Sequence, residues 1–404
     1  MSIIKEKVVD MFWRKARGLV NRNSLLRNSL LCCLFIISLT KCITPYNPSI
    51  TTNSEKGLLV VEAYIIAPTG SIIKISRTKN LTSIDNYEKV SNAQITVISD
   101  NGDIIATAEE KSAGEYQINN PIEFLAGRKY ALNIVIENEH FQSTFEEPLV
   151  TPEIDELNWM SKSAGYELDI LLSTHDPLQK AEYYLWKYDE DWEYTARLFT
   201  EERWDIVRGL VVNTNTDNFY YCWDNSSSNS FILEDVKTLH EGILLDKLIV
   251  NLKAGDSRFS YLYSILVKQY AIPYEAYKYY NYLHVNTNET GGLFAPQPIE
   301  MEGNITNITN ADEPVIGYAL ITTETSKRIY INGADVPYMK ETQPYDCSLA
   351  PEDFFASPSV AYVQGWGLYL RLGDGYVYRK LNCVDCRGQG GNKNKPDFWP
   401  TAHE

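Results

Sequence analysis

Histidine is scarce in this chain. There are five in 404 residues, at His140, His175, His240, His284 and His403, and no two are close enough to act as a ligand pair. The helical His-Glu-x-x-His zinc motif is therefore excluded. The Gly-x-Ser-x-Gly elbow that presents an esterase nucleophile is also missing. No uninterrupted apolar run approaches the roughly 20 residues that a mature membrane helix needs. Positive charge is in deficit, with 37 Lys and Arg against 53 Asp and Glu and a net of −16. Such a surface repels phosphate backbones, so the reading excludes nucleic acid as a partner. No calcium-loop spacing appears among the carboxylates, and neither a metal nor another cofactor is expected.

What is present begins at the N-terminus. Lys5, Lys7, Arg14, Lys15, Arg17, Arg22 and Arg27 precede an apolar run of ten, Leu30 to Leu39. That length and those flanks fit a secretory signal rather than a span. The run ends in LTKC, with Cys42 where a bacterial lipobox has its cysteine. The expectation is a lipoprotein signal over 1–41, cleavage before Cys42 and acylation of that residue, with an ordinary signal peptide or an uncleaved anchor, Cys42 being incidental, as the alternatives. Residues 42–56, polar and proline-bearing, read as a tether. Without the signal the chain carries 29 basic and 51 acidic residues. Membrane attachment then comes from acyl chains and not from charge.

Export changes how the other cysteines are read. Four remain after Cys42: Cys222, Cys347, Cys383 and Cys386. In an oxidising compartment an even number of thiols suggests two disulfides. The Cys383-x-x-Cys386 pair is open to three readings: a zinc knuckle, a redox centre or a covalent staple. Zinc would want a second close pair, and a redox motif would want a helix after it, where RGQGGNKNKP predicts none. The staple is preferred. Either the two tail cysteines reach back to Cys222 and Cys347, or each local pair closes on itself; the first would pin the tail. Gly388, Gly390 and Gly391 then supply tight turns, and Pro396, Phe398 and Trp399 anchor the chain end.

Aromatics are abundant, with 28 Tyr, 13 Phe and 8 Trp, and they favour strands. About seven short strand patterns fall within 57–150, including SIIKISRT and an Asp-Asn-Gly hairpin after AQITVIS. They predict a small antiparallel β-sandwich. Residues 151–404 read as a larger β-rich α+β domain. There, Ala181–Ala196 predicts one long strand, and FSYLYSILVKQYAI and PYEAYKYYNYLHV predict helices, the second starting at Pro273. Glu313–Ile331 predicts two strands around a turn, and SVAYVQGWGLYLRL another strand.

LVVEAYI, NAQITVISDNG, AGEYQI and GRKYALNI in the first part carry a resemblance, as do AEYYLWKYDEDWEY, IPYEAYKYY, GGLFAPQPIEMEGNITN, EPVIGYALI and the tail CVDCRGQGGNKNKPDFW. Together they resemble the Bacteroidota lipoprotein family catalogued as domain of unknown function 4249. The resemblance implies an outer-membrane lipoprotein working beside a TonB-dependent receptor or another outer-membrane protein. It also implies an N-terminal Ig-like module of the carboxypeptidase-regulatory type. It assigns no reaction and no catalytic residue.

The expected function is a lipid-anchored, non-enzymatic binding or accessory subunit in nutrient capture or uptake. The alternatives are a structural subunit of an outer-membrane assembly or export complex and, more remotely, a secreted hydrolase. Candidate contact residues are Tyr183, Trp186, Tyr188 and Trp192, taken as alternating on one strand face, and Trp366. For a hydrolase the densest carboxylates are Asp189, Glu190, Asp191 and Glu193, a run that otherwise reads as a solvated edge.

Overall fold

In the computed structural model the described residues are 57–79, 87–214, 219–255, 257–288, 303–340, 346–350 and 357–400. The expected signal, Cys42, the tether and His403 lie outside them. The described residues form nine strands before residue 150, against the seven expected: β1 (Leu59–Ala67), β2 (Ser71–Thr78), β3 (Tyr87–Lys89), β4 (Gln94–Ser99), β5 (Ile104–Thr107), β6 (Glu109–Ser112), β7 (Glu115–Ile118), β8 (Tyr130–Ile136) and β9 (Glu139–Ser143). The extra strands are the short β3 and the division of IIATAEE at Ala108 into β5 and β6.

The rest of the chain adds β10 (Ile154–Lys162), β11 (Glu167–His175), β12 (Tyr183–Thr195), β13 (Glu202–Asp205), β14 (Leu210–Asn213), β15 (Tyr221–Ser227), β16 (Ile232–Asp235) and β17 (Ile243–Lys253). Then follow β18 (Leu262–Ala271), helix α1 (Tyr274–Asn288), β19 (Ile305–Asn307), β20 (Val315–Asn332), α2 (Pro358–Val363), β21 (Trp366–Leu372), β22 (Gly375–Lys380) and α3 (Leu381–Val384). The protein is mainly β.

One ten-stranded sheet organises it, in the order β15-β12-β18-β20-β1-β2-β7-β6, with β16 beside β12 and β3 beside β2. The first half of β20 runs parallel to β1, from Leu59 opposite Val315 to Ala67 opposite Thr323. Its second half runs antiparallel to β18. The expected turn in Glu313–Ile331 is therefore absent. TTETSK is polar because there the strand passes from one partner to the other; it contains neither Gly nor Pro to break it.

The same strand revises the domain division at residue 150. The described residues belong to one compact unit, and β19 and β20, more than 150 residues downstream, complete the N-terminal layers. The five-stranded sheet β19-β9-β8-β4-β5 packs on β1, β2 and β7 through Val61, Ile73, Tyr116, Val97, Leu132 and Phe141, joined by Ile305 and Ile321. Each such aliphatic or phenyl side chain contributes roughly 1.5–3 kcal/mol on burial. A second core lies between β12, β18 and β20 and the three-stranded sheet β10-β11-β17.

FSYLYSILVKQYAI forms a strand, not the expected helix. β18 sits between β12 and β20 with apolar groups packed on both faces. A run buried on both faces loses its period-two signature and cannot be told from a buried helix by pattern. PYEAYKYYNYLHV is helical as expected, the Pro273 carbonyl accepting the Tyr277 N–H at 3.0 Å. SVAYV begins as α2, so only WGLYLRL is strand.

Candidate functional site

β12 and the stapled tail hold most of the residues singled out from sequence. On β12, alternation sends Tyr184 and Trp186 to one face and Tyr183 and Leu185 to the other. Trp186 is fully buried, stacks on Tyr184 and donates its indole N–H to Gln269 Oε1 at 2.8 Å. Tyr183 lies under α1, with Tyr277 at 4.8 Å between ring centroids. Tyr188 and Trp192 are half-buried against the core that holds Trp186. Trp366 packs beside Ala361, Leu368 and Tyr378 in a separate small cluster. The five do not form one surface. Their aromaticity serves packing, and Tyr183 falls on the face opposite Trp186 because the residues are three apart and strand faces alternate.

The acidic run is not a solvated edge either. β12 is flanked by β15 and β16 on one side and β18 on the other, so each carboxylate meets a partner. Asp189 pairs with Lys268 at 2.6 Å, Asp191 with Arg328 at 2.8 Å, and Glu190 with both Arg258 and the Tyr263 hydroxyl at 2.6 Å. Burial pushes the Asp189 carboxyl up, but the hydrogen bonds from Lys268 and Ser227 outweigh it and leave it below its ordinary range. Glu193 is held above the ordinary range by burial, only partly offset by the hydrogen bond from Trp399.

The tail closes this region. Cys222 bonds to Cys386 and Cys347 to Cys383, so both tail cysteines reach back. Residues after Cys386 do hold a short 3-10 turn, Cys386–Gln389, where no helix was expected; Asp385 caps it by accepting the Arg387 N–H. Cys222 lies opposite Tyr194 and Trp223 opposite Glu193 across the β12–β15 pair. The Tyr194 hydroxyl donates to the Cys386 carbonyl at 3.1 Å. Asn392 and Trp223 exchange backbone bonds at 2.6 and 2.8 Å. Trp399 then packs with Trp223 and Leu262. The tail thus wraps from one face of β12 to the other around β15, capping an edge that would otherwise be open to pairing. A Cβ on Gly391 would collide with the Tyr194 hydroxyl, which explains a glycine there. Phe398 is exposed but lies under the Arg328 guanidinium at 3.8 Å.

A tyrosine cluster under α1 went unrecognised in the sequence, although PYEAYKYYNY signalled it. Tyr64, Tyr183, Tyr270, Tyr277, Tyr279, Tyr280 and Tyr318 gather there with Ile66 and Leu320. Tyr318 donates to Glu146 at 2.8 Å and Tyr270 to Glu324 at 2.7 Å. Burial pushes Tyr279 up to about 12, and Tyr64, Tyr280 and Tyr318 further. Burial also raises Glu146 and Glu324. These phenols stay protonated at neutral pH, so the cluster can hydrogen-bond and pack but offers no phenolate nucleophile. Lys187 lies over the Tyr64 ring at 3.8 Å, and burial lowers its ammonium. Among the described residues no three His, Cys, Asp or Glu side chains converge as metal ligands.

A mainly β architecture with two long-range disulfides and a wrapped tail is the class defined here. The chain belongs to the family described as "Domain of unknown function (DUF4249)", whose model matches residues 43–328. The match begins just after Cys42 and stops short of the tail that had carried part of the resemblance. No curated protein matches the chain. Among solved structures, a point mutant of Salmonella alpha-2-macroglobulin is similar over 53% of this chain and 13% of its own, with 10% identity and a TM-score of 0.16. A score that low supports no inference.

Proposed function

We propose that the protein is an exported lipoprotein, anchored through Cys42 in the outer membrane, that serves as a non-enzymatic binding or accessory subunit beside a TonB-dependent receptor. The observation that carries export is the pairing of Cys222 with Cys386 and Cys347 with Cys383. Every cysteine after Cys42 is thereby paired, which suits an oxidising compartment. The apolar run ending at Cys42 supplies the route and the anchor. The N-terminal layers, with two sheets packed face to face, are compatible with an Ig-like module of the carboxypeptidase-regulatory type. The non-enzymatic reading is supported by β12, whose carboxylates are engaged in ion pairs and hydrogen bonds within the fold.

The second reading is a structural subunit of an outer-membrane assembly. The β13–β14 turn favours it by exposing Val207 at 92% and Ile206 at 64%, apolar groups that suit a protein contact. Purification of the lipoprotein from outer membranes in mild detergent, with mass spectrometry of what accompanies it, separates the two. A stoichiometric receptor supports the first reading and an assembly component the second. A protein recovered alone argues against both. Acylation is tested by metabolic labelling with an alkyne fatty acid: label retained in Cys42→Ala removes the anchor.

A further inference from the structure

The two disulfides are nested. In chain order the cysteines are 222, 347, 383 and 386, and the native bonds join the first to the last and the second to the third, across 164 and 36 residues. Neither native pair is the one that forms most readily in an unfolded chain. By loop entropy alone the 36-residue closure is favoured on the order of 10-fold over the 164-residue one, and Cys383 and Cys386, three residues apart, never leave each other's vicinity. A chain exported N-terminus first also presents Cys222 and Cys347 together before either tail cysteine arrives.

The native pairs depend on a docked tail. Leu198 N–H donates to the Cys383 carbonyl at 2.8 Å and Cys386 N–H to the Phe219 carbonyl at 2.9 Å. Cys222, Cys383 and Cys386 are fully buried once this has happened. Before β12, β15 and the tail have met, nothing in the chain brings Cys386 to Cys222.

We infer that this protein reaches its native disulfides by exchange and is a substrate of a thiol–disulfide isomerase. A disulfide oxidant first removes two electrons and two protons from each of two thiol pairs, giving Cys222–Cys347 and Cys383–Cys386. The isomerase thiolate attacks the second bond, forms a mixed disulfide with Cys383 and releases Cys386 as a thiolate. Cys386 attacks Cys222 and expels Cys347. Cys347 attacks Cys383 and returns the enzyme thiolate. Two bonds enter and two leave, with no net change in oxidation. The cellular form of this inference rests on the export reading; its chemistry does not.

The test is reoxidation of the reduced, unfolded full chain carrying Cys32→Ser, Cys33→Ser and Cys42→Ser, which leaves the four cysteines of the two disulfides, with peptide mapping under non-reducing conditions. With diamide alone, Cys383–Cys386 and Cys222–Cys347 should predominate; added reduced isomerase should raise the native pairs at least fivefold. Native pairs formed at equal rate and yield with diamide alone overturn the proposal. The Cys347→Ser/Cys383→Ser double variant, made in the same Cys32→Ser/Cys33→Ser/Cys42→Ser background, keeps only Cys222 and Cys386 and has no competing partner. It should gain nothing from the isomerase, and a fivefold gain there shows that wrong pairing is not the obstacle. Alkylation of protein taken directly from cells tests export separately: free thiols at Cys222, Cys347, Cys383 and Cys386 defeat the export reading and leave the refolding result standing.

Discussion

Trp399 donates its indole N–H to Glu193 Oε2 at 2.9 Å, across 206 residues of sequence. The bond ties the described end of the tail to a fully buried carboxylate on β12. Trp399→Ala removes both the bond and the packing on Trp223 and Leu262, and should cost about 3–5 kcal/mol in chemical denaturation. A loss below about 1 kcal/mol would mean that the tail contributes little.

Glu193 itself carries a pH signature. Its folded carboxyl titrates above the unfolded one because burial disfavours the charge. Between those two values the folded state holds more protons, so stability falls as pH rises through the window and stays reduced above it. Glu193→Gln keeps an acceptor for Trp399 and removes the charge. It should raise Tm relative to wild type more at pH 8 than at pH 4. Equal differences at both values would contradict the shift.

Removing either disulfide should destabilise the fold by about 2–5 kcal/mol. In the chain-entropy account the wider loop matters more. Cys222→Ser should therefore cost more than Cys347→Ser, by about 1.3 kcal/mol for loops of 164 and 36 residues. Urea denaturation of the two variants compares them directly, and the reverse order would mean that local packing outweighs loop entropy.

Gly317 lies where β20 meets β1, with φ of +133° and the Val61 carbonyl directly in the path of any Cβ. Gly317→Ala should separate the parallel pair and cost more than about 3 kcal/mol, strain plus lost contacts. Gly102, in the hairpin turn at φ of +89°, has open space around it. Gly102→Ala should cost only the backbone term, about 1–2 kcal/mol. Thermal melts of both variants check the contrast.

Gln269 is fully buried and makes three bonds: it accepts from Trp186 and donates to the Pro152 carbonyl at 2.9 Å and Thr174 Oγ1 at 3.1 Å. Gln269→Leu fits the volume but strands these groups, at about 1–3 kcal/mol for each that stays unsatisfied. Gln269→Glu at pH 7 should be worse, since it buries an ionisable acid beside a carbonyl. Near-wild-type melting of the leucine variant would show that the network is dispensable.

Much of this protein was written locally. Period-two alternation placed SIIKISRT and AQITVIS, Asn-Gly placed the hairpin after β4, and the aromatic run at 181–196 placed β12. Pro273 placed the start of α1. Each of these signals comes from a few neighbouring residues whose backbone preferences and side-chain direction need no distant partner. Tertiary structure decided what depends on residues far away. β18 is a strand because it is covered on both faces, and β20 runs unbroken because β1 and β18 take it in turn. The acidic run is internal because β15 and β18 flank it. The aromatics of β12 are core because sheets and a helix from elsewhere in the chain close over them. Four cysteines after Cys42 pointed to two disulfides, but only the docking of the tail around β15 determined which sulfur meets which. Burial and pairing are set by partners 36 to 206 residues away, and no local window contains them.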